Sequence, residues 1–193
     1  MLSKIGIGAA LLSLILIFTA CGGATPTAAP VPTTIPSPAP APAPNPGPVP
    51  LVAPKPRPPG PIEATWLQVV VDKARQTVSL PISELEDNWN VHFKLETTEG
   101  ETNFMAYIFK GDIYVRANVC PPCRSIGFSL DEESQLLICD RCATLFDAGT
   151  GAGIEGACVD YPKAEVPYEI GEGNIVMQLT DLSAAYHDTL TPG

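Results

Sequence analysis

The chain has 193 residues, 22 prolines, 6 cysteines and a formal net charge of −10. All 21 Asp and Glu lie from Ile62 onward, against 8 Lys and Arg there, a local net charge of −13. Such a segment excludes a nucleic-acid partner, because phosphate binding needs a basic face. The charge suits a soluble exported module.

Met1 to Ala20 reads as an export signal, with Lys4 as its positive start and Ile5 to Phe18 as an apolar run too short to span a membrane comfortably. Phe18-Thr19-Ala20-Cys21-Gly22 resembles the bacterial lipobox, with Phe18 where an aliphatic residue is usual, so Cys21 is the expected lipidation site. The expected place is the bacterial cell envelope, extracytoplasmic, on a membrane through a lipid anchor. Met1-Leu2-Ser3-Lys4 carries no arginine pair. The chain is therefore expected to cross unfolded and to acquire any metal outside.

Residues 21–61 follow as a lipidated cysteine and a Pro/Ala-rich linker. Sixteen prolines stand between Ala24 and Pro61 with almost no charge. Proline fixes φ and lacks an N–H, so this stretch is expected to be a disordered, extended polyproline II spacer reaching on the order of 100 Å. Residues 62–193 remain for one modest core.

β-branched and aromatic runs predict strands over Gln68–Val71, Thr77–Leu80, Val91–Leu95, Phe104–Phe109, Ile113–Arg116, Gln135–Ile138 and Ile175–Leu179. Lys110-Gly111-Asp112 predicts a hairpin turn, and Glu96–Thr102 and Asp131–Ser134 polar connections. Val91 to Leu95 alternates apolar and polar, which predicts a strand with one wet face and His92 on it. Asp181–Tyr186 predicts a short helix with Asp181 as N-cap. The fold class expected is mainly β: a single small antiparallel domain with little helix. Trp66 and Trp89 read as core or rim packing, and neither His92 nor His187 as a metal ligand.

The chemistry lies in two pairs, Cys120-Pro121-Pro122-Cys123 and Cys139-Asp140-Arg141-Cys142, each opening at the end of a β run. Each pair makes a short loop that aims two sulfurs at one point, and two facing loops close a four-sulfur site in the manner of a rubredoxin-like knuckle or zinc ribbon. Pro121 and Pro122 stiffen the first turn. Three chemistries stay open: a metal centre on Cys120, Cys123, Cys139 and Cys142, disulfides in an oxidising compartment, or a thiol–disulfide couple at Cys-Pro-Pro-Cys. Cys158 is an extra ligand, a resolving thiol or a small buried hydrophobe. Gly151-x-Gly153-x-x-Gly156 matches a dinucleotide fingerprint without the strand and helix that fingerprint requires, and is read as a flexible loop over the site. No Cys-x-x-Cys-His haem motif is present.

Cys139-x-x-Cys142 followed by Leu145-Phe146-Asp147 and Thr150-Gly151 resembles the Rieske pattern, with Cys142 in the histidine's place. The resemblance implies a Rieske-like fold, two cluster loops projecting from a small antiparallel sheet. The segment from Val78 to Leu179 resembles the membrane iron–sulfur FtrD-like family. That likeness rests on the two pairs, Phe146-Asp147, and Gly156-Ala157-Cys158, where the family usually has Gly-Gly-Cys. It implies a link to iron transport and an iron–sulfur cluster or iron held by Cys120, Cys123, Cys139 and Cys142, with Cys158 as a further candidate and zinc as the alternative cofactor.

Two functions follow. One is a membrane-tethered electron-transfer or iron-handling protein with an iron permease or redox partner. The other is a non-catalytic binding module whose zinc ribbon or disulfides only hold the fold. No general base, nucleophile triad or paired-carboxylate motif points to an enzyme.

Overall fold

The computed structural model describes residues 55–97 and 100–193; the expected export signal, the expected lipidation site Cys21 and the expected linker through residue 54 lie outside them. The chain runs β1 (Thr65–Leu67), β2 (Val70–Asp72), β3 (Thr77–Pro81) and helix α1 (Ile82–Asn88). It continues through β4 (Asn90–Thr97), β5 (Gly100–Phe109), β6 (Asp112–Ala117), β7 (Phe128–Asp131), β8 (Leu136–Cys139), β9 (Leu145–Asp147) and β10 (Gly153–Glu155). It closes with β11 (Glu169–Gly171), β12 (Asn174–Gln178) and helix α2 (Leu179–Leu190).

The strands form three four-stranded sheets, ordered β1-β4-β5-β6, β10-β9-β8-β7 and β11-β12-β3-β2. The fold is mainly β, and every named pairing is antiparallel except the parallel β1–β4.

β5 shows why the layers stack. Successive strand residues point to opposite faces, so a run apolar at every position marks a strand covered on both sides. Phe104, Ala106 and Ile108 enter one core with Val78, Leu85, Phe93, Met177 and Leu182. Met105, Tyr107 and Phe109 enter a second core with Phe128, Leu130, Leu137, Phe146, Cys120, Cys139 and Cys158. The β1-β4-β5-β6 sheet is thus the middle layer between the two helices with β3 and β12 on one face and the cysteine-bearing sheet on the other.

Several local expectations change. His92 does lie on the polar phase of β4, but that face is not wet: the residue is 0% exposed, because the cysteine-bearing layer covers it. Asn90, on the same phase, donates to the carbonyls of Ile62 and Phe128 at 3.0 and 2.9 Å and joins the layers. The predicted connection 96–102 is mostly ladder, since Thr97 pairs directly with Gly100. Of the strand expected at 68–71 only Val70 and Val71 are in one, at the start of β2, while Gln68 and Val69 connect it to β1.

Helix α1 was hidden by its seven-residue length; Pro81 starts it, and Trp89 at φ 65 ends it by donating its N–H to Leu85. Helix α2 begins earlier than predicted, with Gln178 as N-cap, while Asp181 sits in the first turn, where its charge suits the helix dipole. Residues 55–61, placed in the linker by composition, touch the fold: Lys55 pairs with Asp87 at 2.9 Å and its carbonyl accepts from Trp89 Nε1 at 3.1 Å. Among the described residues no helix is long and apolar enough to cross a membrane.

Candidate metal centre

The two cysteine loops are copies of one backbone design. β6 leads into Cys120 and β8 ends on Cys139. Cys120 donates its N–H to Ser125 at 2.9 Å and accepts from the N–H of Arg124 at 2.7 Å; Cys139 repeats this with Thr144 at 3.0 Å and Ala143 at 2.9 Å. The fifth residue of each loop is left-handed, with φ 57 at Arg124 and 54 at Ala143. That turn folds the chain back so that the second cysteine rejoins the first. For a residue with a Cβ it costs on the order of 1 kcal/mol, which the surrounding bonds must offset.

The loops face each other. The Sγ atoms of Cys120, Cys123, Cys139 and Cys142 all lie within 4.8 Å of one another, and Cys123 and Cys139 are 3.7 Å apart. Four sulfurs ~2.3 Å from one tetrahedral ion are separated by about 3.8 Å, so the cage has the size and softness for a single thiophilic metal. A cluster places several irons and sulfides between its cysteines and needs the pairs spread further. All five described cysteines are free thiols. Neither pair stands at a helix N-terminus, the setting that a thioredoxin-type couple uses.

Cys158 is a fifth sulfur at the edge of the cage, buried and 3.7 Å from Cys142 Sγ. Its N–H donates to Thr144 Oγ1 at 3.2 Å, and that hydroxyl lies 3.1 Å from Cys142 Sγ. Gly156 permits this contact. At φ 118, a Cβ there would meet Thr144 Cα at 2.7 Å. The glycine loop therefore packs tightly on the second knuckle, rather than forming the flexible cover expected. Ala157, the next residue, needs no left-handed backbone.

The thiols differ electrostatically. Burial pushes Cys120 and Cys123 up from the ordinary thiol value, and for Cys120 the neighbouring Cys158 and Cys123 thiols add to the rise. Burial works against ionisation at Cys142 too, but hydrogen bonds from the Thr144 hydroxyl and backbone, with help from Cys139 and Cys123, bring it below the ordinary value. Cys142 is thus the thiol that gives up its proton most readily, and a metal bound by all four would displace the rest.

Sequence reasoning missed the surround. Lys163, 1% exposed, donates from Nζ to the carbonyls of Val119 and Tyr161, both at 2.8 Å. Burial lowers its pKa to about 8, against the opposing effect of the cage sulfurs. Arg116, equally buried, donates to Tyr107 Oη at 2.9 Å, to the carbonyls of Lys163 (2.9 Å) and Gly149, and to Glu165 at 3.4 Å. The one trace of Arg116 in the sequence is a charge on a strand that alternation turns inward. The Phe146-Asp147 and Thr150-Gly151 steps have local reasons. Phe146 is buried beside Lys163, and Asp147 caps its turn, accepting from the N–H of Gly149 and Thr150 and the Thr150 hydroxyl. The Thr150 backbone bond is the chief reason the Asp147 carboxyl sits below its usual range.

Trp66 and Trp89 are rim residues, and His92 meets the Trp66 ring edge-on at 5.2 Å. No strand-to-helix step follows Gly151-x-Gly153-x-x-Gly156, which runs into β10.

No curated protein matches the chain. Among solved structures it is similar to a chain described as "Complex of reduced oxygenase and oxidized ferredoxin in carbazole 1,9a-dioxygenase", at 14% identity and a TM-score of 0.41, over 54% of this chain and 94% of that one. The family described as "Membrane iron-sulfur containing protein FtrD-like" matches residues 85–188, a span that takes in both knuckles and Cys158, and the chain belongs to that FtrD-like family.

Proposed function

We propose that the protein is an extracytoplasmic, lipid-anchored carrier of iron, held by Cys120, Cys123, Cys139 and Cys142, that serves electron transfer or iron handling linked to iron uptake. The observation that carries this reading is the convergence of four sulfurs within 4.8 Å. Membership of an iron–sulfur family favours iron among the thiophilic metals. The spacing favours one ion over a cluster. Iron in such a cage supplies a one-electron couple, and all-thiolate ligation places it at a lower potential than a mixed His and Cys centre. Cys21 and the proline-rich spacer would tether the centre at the membrane, within reach of an iron permease or redox partner.

The same spacing suits zinc, which would make the domain a structural binding module. Anaerobic purification with metal and acid-labile sulfide analysis separates these readings. One iron per chain without sulfide is the expected result; iron with sulfide means a cluster, and one zinc in a colourless protein supports the binding module. Absence of metal together with disulfides in both pairs would contradict the proposal.

A further inference from the structure

Lys163 is a buried cation with only neutral hydrogen-bond acceptors. Its Nζ is held by the Val119 and Tyr161 carbonyls and lies 4.3 Å from the centre of the Phe146 ring and 5.1 Å from that of Phe128. Among the described residues, every ion pair uses other side chains. Both rings belong to the buried cluster that contains Cys120, Cys139 and Cys158, so the ammonium is packed into the layer that carries the cage sulfurs.

Removing an ammonium from water costs several kcal/mol unless a counter-charge replaces the lost hydration, and two carbonyls with two ring faces replace it only in part. Protonated thiols supply no counter-charge, and neither do disulfides. Four thiolates around a divalent ion carry a net −2, which a fixed cation offsets. The residue is also fixed at both ends, through its backbone carbonyl and its side-chain ammonium. Its carbonyl accepts from Arg116, and its Nζ holds the carbonyl of the residue before Cys120.

We propose that Lys163 is the charge-compensating residue of the cage, a positioning residue that favours the thiolate, metal-loaded form over the protonated or oxidised apo form. The inference rests on the reading of the site as a metal centre. It requires that the residue act in opposite directions on the two forms. In the apo protein the ammonium is an uncompensated charge, and in the loaded protein it lowers the energy of the anionic centre.

The experiment uses the full chain and its Lys163→Met and Lys163→Gln variants, with Zn(II) as the probe. Zn(II) affinity is measured by chelator competition, and thermal stability is measured on the reduced, metal-free protein. Lys163→Met is expected to bind Zn(II) about ten- to a hundredfold more weakly, the usual cost of losing a partner beyond the ligands. Its apo form is expected to melt at the same temperature as the parent or higher. Lys163→Gln keeps a donor for Val119 and is expected to lose the same affinity, because charge and not hydrogen bonding is at issue. Lys163→Arg is expected to recover part of it. Equal Zn(II) affinity in parent and both neutral variants would overturn the proposal while leaving the metal centre standing. So would a parallel loss of stability in the apo and loaded forms of both, the mark of a merely structural lysine. A parent chain that binds no Zn(II) would sink the metal centre and this proposal together.

Discussion

The difference between a cage cysteine and the fifth cysteine is testable residue by residue. Cys139→Ser exchanges a soft sulfur for a hydroxyl at the crowded side of the cage, where Cys123 is 3.7 Å away. It is expected to abolish stoichiometric metal binding and to forfeit the stability that binding contributes. Cys158→Ser should retain one metal per chain, since Cys158 lies outside the set of four mutually close sulfurs. Metal content after gel filtration checks both, and a metal-free Cys158→Ser would move Cys158 into the ligand set. Ala143 is a second residue-scale test. Glycine at φ 54 relieves ~1–2 kcal/mol of left-handed strain but adds ~0.4–1 kcal/mol of unfolded-state entropy. Ala143→Gly should thus gain about 0.5 kcal/mol in urea unfolding and keep its metal. The four converging cysteines were legible in the sequence because Cys-x-x-Cys spacing acts locally. Lys163 and Arg116 were not, because a buried charge is recognisable only once distant elements enclose it.

At the scale of elements, β4 carries a pH dependence that its alternation concealed. His92 is buried, and burial lowers its pKa from 6.5 to about 3, while the Phe128 and Ile126 backbone offers weaker opposition. The unfolded chain takes up a proton below pH 6.5, whereas the fold does not until about pH 3. Stability should fall as pH drops through that window, by up to ~1.4 kcal/mol per unit. His92→Leu fills the site without a titrating group, so its apo form should show a flatter urea midpoint between pH 7 and 4.5; an unchanged slope would mean that other groups govern acid unfolding. Strands dense in apolar or alternating residues were readable, as β5 and β6 show. Short elements such as β9, β10 and β11 have too few residues for a period to emerge, and α1 has barely two turns. Gly156 belongs to this scale too. Gly156→Ala should push the Cys158 loop off Thr144, and a lower melting temperature in the metal-free protein would report it.

For the whole molecule, the layer order explains both what was legible and what was not. Mainly antiparallel β structure follows from runs of β-branched residues and the near absence of helical periodicity. The stacking of a third layer over the polar phase of β4 does not, because Asn90 and His92 look solvated until Phe128 and Ile62 lie over them. That same layer brings the two knuckles together, so the cage depends on tertiary order, not on either motif alone. X-ray absorption at the edge of the bound metal, on the anaerobically purified full chain, tests the four-sulfur cage most directly. The account predicts four sulfur neighbours at about 2.3 Å and no second metal in the next shell. A metal–metal distance, nitrogen or oxygen in the first shell, or a parent chain with no metal and two closed Cys-x-x-Cys disulfides would contradict it.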